Sequence, residues 1–163
     1  MKHKLEVKTN GDRAIVMTRS FDAPRTLVFD CLTKPELLKR WFGTFAGWQL
    51  TVCEIDLRVG GKYRYQWSGP AGEQMGMGGT YKEVVKPQRL VTTEKFDQSW
   101  YPGSAVGTLV LVEKDGVTTM TTTVVYDSKE ARDVVLKSPM EQGVAAGYNN
   151  LDELLTSMAQ EAR

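Results

Sequence analysis

Residues 138–158, SPMEQGVAAGYNNLDELLTSM, decide how this chain folds. Apolar side chains recur there at intervals of three or four residues, so they form one long stripe on a predicted C-terminal helix. The stripe consists of Met140, Val144, Tyr148, Leu151, Leu155 and Met158. Ser138 and Glu141 have the spacing of a capping box, with Pro139 in the first turn, and this spacing predicts where the helix begins.

Two strand-like segments, residues 105–113 and 117–127, precede this helix. An amphipathic helix that follows strands needs a sheet against which its apolar stripe can be buried. Gly143 and Gly147 interrupt the stripe, and each destabilises a helix interior by up to about 1 kcal/mol relative to Ala. We interpret the two glycines as leaving space beside the helix. The sequence therefore predicts a sheet that grips a helix, with a cavity between them.

The upstream part of the chain predicts further strands and two short helices. The strands cover residues 13–21, 48–57, 62–67, 80–85 and 89–96, and residues 1–11 are either a mobile terminus or a short extra strand. Both helices follow the first strand, and the second begins at a capping-box spacing of Thr33 and Glu36. No strand–helix–strand alternation runs through the chain, which favours a single α+β domain over residues 1–163 with an antiparallel sheet.

The composition excludes several classes of partner. Lys and Arg total 21 against 20 Asp and Glu, so the surface has no excess positive charge with which to bind nucleic acid. No apolar stretch approaches the roughly 20 residues of a membrane span, and the amino terminus lacks the apolar core of a signal peptide. We therefore expect a soluble cytoplasmic protein with no membrane partner. Cys31 and Cys53 fit reduced thiols inside the core.

Few residues have the pattern of a catalytic or metal site. The only histidine is His3, which excludes a catalytic triad based on histidine. The two cysteines are far apart in sequence and predict no zinc site, so we expect no metal and no cofactor. The glycines of residues 75–79 are not followed by the Lys-Ser/Thr of a phosphate-binding loop.

Six short segments carry a family resemblance, and they occur in a fixed order between residues 12 and 160. They are Phe21–Arg25, Thr33–Leu38, Trp41–Gly43, Cys53–Arg58 with Gly60 and Gly61, Gly79–Val85 with Pro87, and Met140–Gly143. This pattern resembles the family of activators of the heat-shock-protein-90 ATPase, which belongs to the START-like, birch-pollen-allergen-like SRPBCC superfamily.

The resemblance implies an α+β helix-grip fold. In that fold a curved antiparallel sheet wraps around a long C-terminal helix, and two short helices after the first strand close a hydrophobic pocket. Many members of the family have Trp where this chain has Val144. If Val144 faces the pocket, the resemblance implies a larger cavity than is usual in the family.

We predict that a small hydrophobic or amphipathic ligand binds without catalysis in this pocket. The predicted ligand-binding residues are Trp41, Phe42, Tyr63, Tyr65, Trp67, Met75, Met77, Val144 and Tyr148. Aromatic and Met side chains are typical of apolar pockets, but each of these residues is also an ordinary core residue. Residues 75–79 are predicted to form a mobile rim.

Two other functions stay open. The family resemblance implies a chaperone, or another protein, as partner of a regulator in the stress response. Alternatively, related folds include cyclases and hydrolases, and such an enzyme would use a tyrosine or a carboxylate in the pocket. Glu54, Asp56, Glu83 and Glu94 lie in or beside predicted strands and are the candidate carboxylates. The sequence determines neither the ligand nor the oligomeric state.

Overall fold

One eight-stranded antiparallel sheet forms most of the protein in a computed structural model that describes residues 3–161. Its strands are β1 (Glu6–Asn10), β2 (Ala14–Phe21), β3 (Gln49–Ile55), β4 (Lys62–Ser68), β5 (Gln74–Val85), β6 (Arg89–Phe96), β7 (Ala105–Lys114) and β8 (Val117–Tyr126). The spatial order is β1-β2-β8-β7-β6-β5-β4-β3. Because β2 pairs with β8, the first hairpin closes onto the last strand.

Helices cover one side of this curved sheet. They are α1 (Arg25–Thr33), α2 (Pro35–Leu38), α3 (Lys129–Lys137) and α4 (Met140–Glu161). The two short helices follow β2, and the long helix α4 ends the described chain, so the predicted α+β helix-grip fold is confirmed. Within residues 3–161, no helix is long and apolar enough to cross a membrane.

Local sequence patterns explain the strands and their turns. In β4, Tyr63, Tyr65 and Trp67 are buried on the inner face, while Lys62 is exposed on the outer face, as the period of two predicts. Strands β7 and β8 are joined by Asp115 and Gly116, whose φ angles are 53° and 78°. Two consecutive positive φ angles are typical of the two-residue hairpin turn that matches the twist of antiparallel strands.

The apolar interior consists of two clusters. The larger cluster joins α1, α2 and α4 to the inner faces of β3, β4 and β5, and it includes Leu151 and Leu155. The smaller cluster lies under α3, where Ala131 and Val135 meet Ile15 of β2. The apolar stripe of α4 is divided between them, since its first residues belong to the smaller cluster.

Neither predicted capping box is formed in full, although Ser138 does accept an amide hydrogen at the start of α4. Thr33 is the last residue of α1, and its hydroxyl donates to the carbonyl of Phe29 at 2.8 Å. Ser138 ends α3, where its amide and its hydroxyl both donate to the carbonyl of Val135. The Ser138 hydroxyl also accepts from the amide of Met140. Both hydroxyls therefore donate back to a carbonyl of the preceding helix, and the Ser138 hydroxyl in addition accepts an amide of the first turn of α4.

The glycine-rich segment 75–79 is part of β5 and not a loop. It pairs with β4 along its length and contacts β6 as well. A Cβ atom on Gly79 would lie 1.9 Å from the carbonyl oxygen of Thr93, so only glycine permits this approach. The glycines therefore allow close contact between strands, which is the opposite of the predicted mobile rim.

A buried arginine connects the sheet to α4. Arg19 points inward from β2, and only 1% of its side chain is exposed. Its guanidinium donates to Asn149 Oδ1 at 2.9 Å and lies 3.4 Å from Asp152 Oδ2, one turn further along α4. The guanidinium carbon also lies 5.0 Å from the centre of the Phe21 ring. Burial lowers the pKa of Arg19, and the negative charge of Asp152 opposes this effect.

We predict that Asn149→Ala destabilises the protein by about 1–3 kcal/mol, because it leaves part of a buried guanidinium without a hydrogen-bond acceptor. Urea unfolding measures the change. Glu153→Ala, on the exposed side of the same helix, is the control and should change stability by less than about 0.5 kcal/mol. Equal effects of the two variants would show that Arg19 does not hold α4 on the sheet.

Candidate functional site

A cavity of about 190 Å³ lies between the inner face of the sheet and the helices. Strands β4 to β8 form its floor, and α1, α2 and α4 each contribute to its walls. Val124 belongs to the smaller core cluster, whereas most of the other apolar lining belongs to the larger one. The cavity therefore lies where the two clusters meet.

Aromatic rings dominate the lining. They belong to Trp41, Phe42, Tyr63, Tyr65, Tyr81 and Tyr148. The rings contact one another in tilted and edge-to-face pairs with centres 5.0–6.2 Å apart. Hydrogen bonds fix two of them, since the Trp41 indole donates to the carbonyl of Cys31 and the Tyr63 hydroxyl donates to that of Thr93. The walls are thus held in defined orientations.

The structure brings six of the nine predicted binding residues together around this cavity. They are Trp41, Phe42, Tyr63, Tyr65, Met77 and Tyr148. Period-two alternation places the β4 tyrosines on the inner face, and Met77 lies opposite Tyr65 in the neighbouring strand. Their contact with a ligand stays a prediction.

The other three predicted residues lie outside the cavity lining. Trp67 is buried, but its indole donates to the carbonyl of Phe42 and so supports the wall from behind. Met75 pairs with Trp67 beyond the end of the cavity and is 37% exposed. Val144 packs with the smaller cluster, so the missing Trp side chain does not enlarge this cavity.

One carboxylate lines the cavity. Glu94 is on the inner face of β6 together with Leu90 and Thr92. Its hydrogen-bond partner is the Tyr101 hydroxyl, which lies 3.4 Å from Oε2. Burial raises the pKa of Glu94, and the bond from Tyr101 opposes the rise. Unlike an exposed glutamate, this carboxyl has an environment that disfavours its charged form.

Tyrosines surround Glu94. Burial of each phenol raises the pKa values of Tyr63, Tyr101 and Tyr126, and the negative charge of Glu94 adds a smaller rise in each case. Burial likewise raises the pKa of Tyr81 to about 12. These phenols therefore stay neutral at physiological pH and act as hydrogen-bonding groups.

The hydroxyl of Thr122 is the second unusual polar group in the lining. Among residues 3–161, its Oγ1 is the buried side-chain polar atom without a hydrogen-bond partner. Burial raises the pKa of Tyr148, and an interaction of its hydroxyl with Thr122 offsets part of that rise. The two hydroxyls lack hydrogen-bond geometry, so Thr122 Oγ1 has no partner. An unpaired buried hydroxyl is unfavourable, and a ligand group could satisfy it.

The remaining candidate carboxylates lie outside the cavity. Asp56 accepts from Arg58 at 2.8 Å, and Glu83 accepts from Arg89 at 3.4 Å, both on exposed side chains. Glu54 is exposed beside an open depression of about 590 Å³ on the outer side of β3–β5. Charges of both signs line that depression, so it has no net preference for an ion of either sign.

Sequence reasoning did not select Glu94 over the other carboxylates, and it omitted Thr122 and Gly107. The alternation of β6 contains a signal, because Leu90, Thr92 and Glu94 share a face. On β7 and β8 the same rule places Gly107, Leu109 and Thr122 inside. The sheet register then brings these residues to one region of the floor.

Gly147 of α4 has unfilled space beside it. The residue is buried, yet a Cβ atom added there would meet no atom within 4 Å outside its own helix. Gly143 also has open space, but it is exposed to solvent. The predicted space beside the helix therefore exists inside the protein at Gly147, whereas the space beside Gly143 is solvent.

We predict that Gly147→Ala stabilises the protein by about 0.5–1 kcal/mol, because it removes a poor helix former without a clash. Thermal unfolding measures the effect, and Gly143→Ala gives the gain from helix propensity alone. A loss of stability in Gly147→Ala would contradict the space seen here.

Glu94→Gln should become more stable relative to the unmodified chain as pH rises. A folded-state pKa above the unfolded value, about 4.3, gives a stabilisation that is present at low pH and lost as pH rises through the folded pKa. Urea unfolding over about pH 4–8 tests this. Glu54→Gln is the control, and a pH-independent difference for Glu94→Gln would contradict the buried carboxyl.

Comparison with known proteins agrees with this architecture. A crystal structure of a Rhodobacter sphaeroides protein has 31% sequence identity and a TM-score of 0.88, covering 94% of this chain and 99% of that chain. A Mycobacterium smegmatis protein has 28% identity and a TM-score of 0.83, covering 94% and 98%. A Nitrosomonas europaea protein shares the fold at 24% identity, with a TM-score of 0.81 and coverage of 93% and 99%.

A family model described as Activator of Hsp90 ATPase homolog 1-like protein matches residues 22–156. No curated protein sequence matches this chain. The matched range contains both short helices, the strands that form the cavity floor and most of α4. This chain belongs to the Activator of Hsp90 ATPase homolog 1-like family, with a START/SRPBCC-like fold.

Proposed function

We propose that this protein binds a small, mainly apolar molecule in the cavity between α4 and the sheet. The observation that carries the proposal is the cavity of about 190 Å³ walled by six aromatic rings. Protein interiors are close-packed, and voids larger than a water molecule are few. A space of this size, lined by packed rings of which hydrogen bonds hold two in place, has the character of a ligand pocket.

The volume limits the size of the ligand. An apolar cavity of about 150 Å³ accommodates benzene, whereas pockets for drug-sized molecules span about 300–1,000 Å³. This cavity therefore suits a molecule with one ring and a short substituent. Part of a larger ligand would extend beyond this space.

The lining also offers a few polar contacts. Glu94 and Thr122 lie on different strands of the floor, and neither has a full set of hydrogen-bond partners. An apolar pocket with a small number of polar groups is the usual form of a binding site, because the polar groups set the orientation of the ligand.

We predict that toluene binds saturably in this cavity and that Gly107→Val weakens its binding at least tenfold. A Cβ atom on Gly107 would make only ordinary contact with Thr92 Oγ1 at 3.6 Å, so the valine fits its strand and its methyl groups occupy the cavity. Titration followed by amide NMR shifts gives the affinity and the location.

Thr108→Val is the matched control, because Thr108 is adjacent in β7 but lies on the outer face of the sheet. It should bind toluene as the unmodified protein does. Binding that survives Gly107→Val, or no saturable binding at all, would contradict the proposed site.

Catalysis by Glu94 is the second candidate function. A pocket carboxyl whose pKa is raised by burial has the character of a general acid or base. Turnover of a bound compound that Glu94→Gln abolishes, with binding retained, would favour this function over simple binding. Regulation of a chaperone, which the family description suggests, stays a prediction that a measurement of chaperone ATPase rate tests.

A further inference from the structure

We propose that the ligand of this cavity is a small organic amine whose protonated nitrogen pairs with Glu94 while its apolar body lies among the aromatic rings. The inference rests on the proposed function and names the chemical class of the ligand. It follows from the charge, the surroundings and the size of the cavity.

The first observation is the charge of the lining. Within the described residues, Glu94 is the only ionisable acid or base among the lining side chains other than the neutral tyrosines. The hydrogen bond from Tyr101 is long, at 3.4 Å, and none of the ion pairs among residues 3–161 involves Glu94. The Glu94 carboxylate is partly removed from water with no cation beside it, which is unfavourable, and a cation supplied by the ligand reduces that penalty.

The sign of the charge separates ligand classes. A carboxylate or phosphate ligand would be repelled by Glu94, and the lining residues in the described part of the chain include no Lys or Arg to offset the repulsion. A neutral ligand can donate a hydrogen bond to the carboxyl, but it leaves the negative charge uncompensated. A protonated amine is the class whose charge complements the site.

The surroundings of Glu94 also favour a cation. The Tyr63 hydroxyl donates to the carbonyl of Thr93, the residue next to Glu94 in β6, so its ring is held near the carboxyl. Tyr63 presents its ring to the cavity as well. Aromatic faces attract cations within about 6 Å, and this attraction is stronger where water is excluded.

The size of the cavity selects the test compounds. The cavity volume of about 190 Å³ is only slightly larger than the roughly 150 Å³ of an apolar cavity that holds benzene. Benzylamine adds one aminomethyl group to such a ring. Benzyl alcohol, toluene and benzoate keep the ring and replace the cation with a hydroxyl, a methyl or a carboxylate, so the four compounds isolate the effect of charge.

Isothermal titration calorimetry at neutral pH compares the four compounds on the full chain. We expect benzylamine to bind at least tenfold more tightly than benzyl alcohol or toluene, and benzoate to bind most weakly. In Glu94→Gln, which is nearly isosteric, the preference for benzylamine should fall to less than threefold. Glu54→Gln removes an exposed carboxylate from β3 and should keep the full preference.

The release of protons on ligand binding is a second readout, and it does not depend on the stability of the variant. Pairing with a cation favours the ionised carboxyl, so benzylamine should release protons when it binds to molecules in which Glu94 is protonated. Titration in buffers of different ionisation enthalpy detects this release. It should be absent for toluene and absent in Glu94→Gln, whose fold is checked by its thermal unfolding.

The outcomes separate this inference from the proposed function. If toluene and benzyl alcohol bind in the cavity as tightly as benzylamine, the cavity is a ligand site but the amine inference is wrong. If benzylamine is preferred equally by the unmodified chain and by Glu94→Gln, the amine lies elsewhere and the inference is wrong. If none of the compounds binds, both proposals fail.

Discussion

The hydrogen bond from the buried Arg19 guanidinium to Asn149 holds α4 on the sheet, and the cavity depends on that attachment. Arg19 comes from β2, whereas Tyr148, the neighbour of Asn149, lines the cavity from α4. A charged group in the interior is favourable only with partners at hydrogen-bond distance, so its position is closely defined. The arginine therefore contributes to the position of α4 on the sheet, together with the buried Leu151, Leu154 and Leu155 of the same helix.

A void persists beneath the helix because its surroundings cannot collapse into it. Hydrogen bonds to backbone carbonyls hold Trp41 and Tyr63, and Trp67 supports Phe42 from outside the cavity. A small residue contributes to the space itself, since Gly107 lies in the floor. Interlocked rings transmit the rigidity of the sheet to the walls. The result is a preformed pocket, in which a ligand needs to displace little protein.

The polar groups of the lining distinguish this cavity from a packing defect. A defect is expected to be wholly apolar, because an unpaired polar atom adds a desolvation penalty to the lost contacts. Here Glu94 has one long hydrogen bond, and Thr122 Oγ1 has none. Both groups are stabilised if a ligand supplies the missing partners. The membership of the Activator of Hsp90 ATPase homolog 1-like family is compatible with such a role, and the chemistry of the pocket then depends on these few side chains.

The sequence by itself determined the elements and their inner faces. Period-two alternation placed Tyr63 and Tyr65 inside, and the stripe of residues 140–158 required a sheet to cover it, because both follow from local backbone geometry. Only the tertiary structure decided that Met75, Trp67 and Val144 lie outside the cavity, and that Glu94 lies within it while Glu54, Asp56 and Glu83 do not. Alternation gives the face of a residue, but its place along the cavity depends on strand register, on sheet curvature and on where α4 crosses. Those are set by contacts between residues far apart in the chain, such as Arg19 with Asn149.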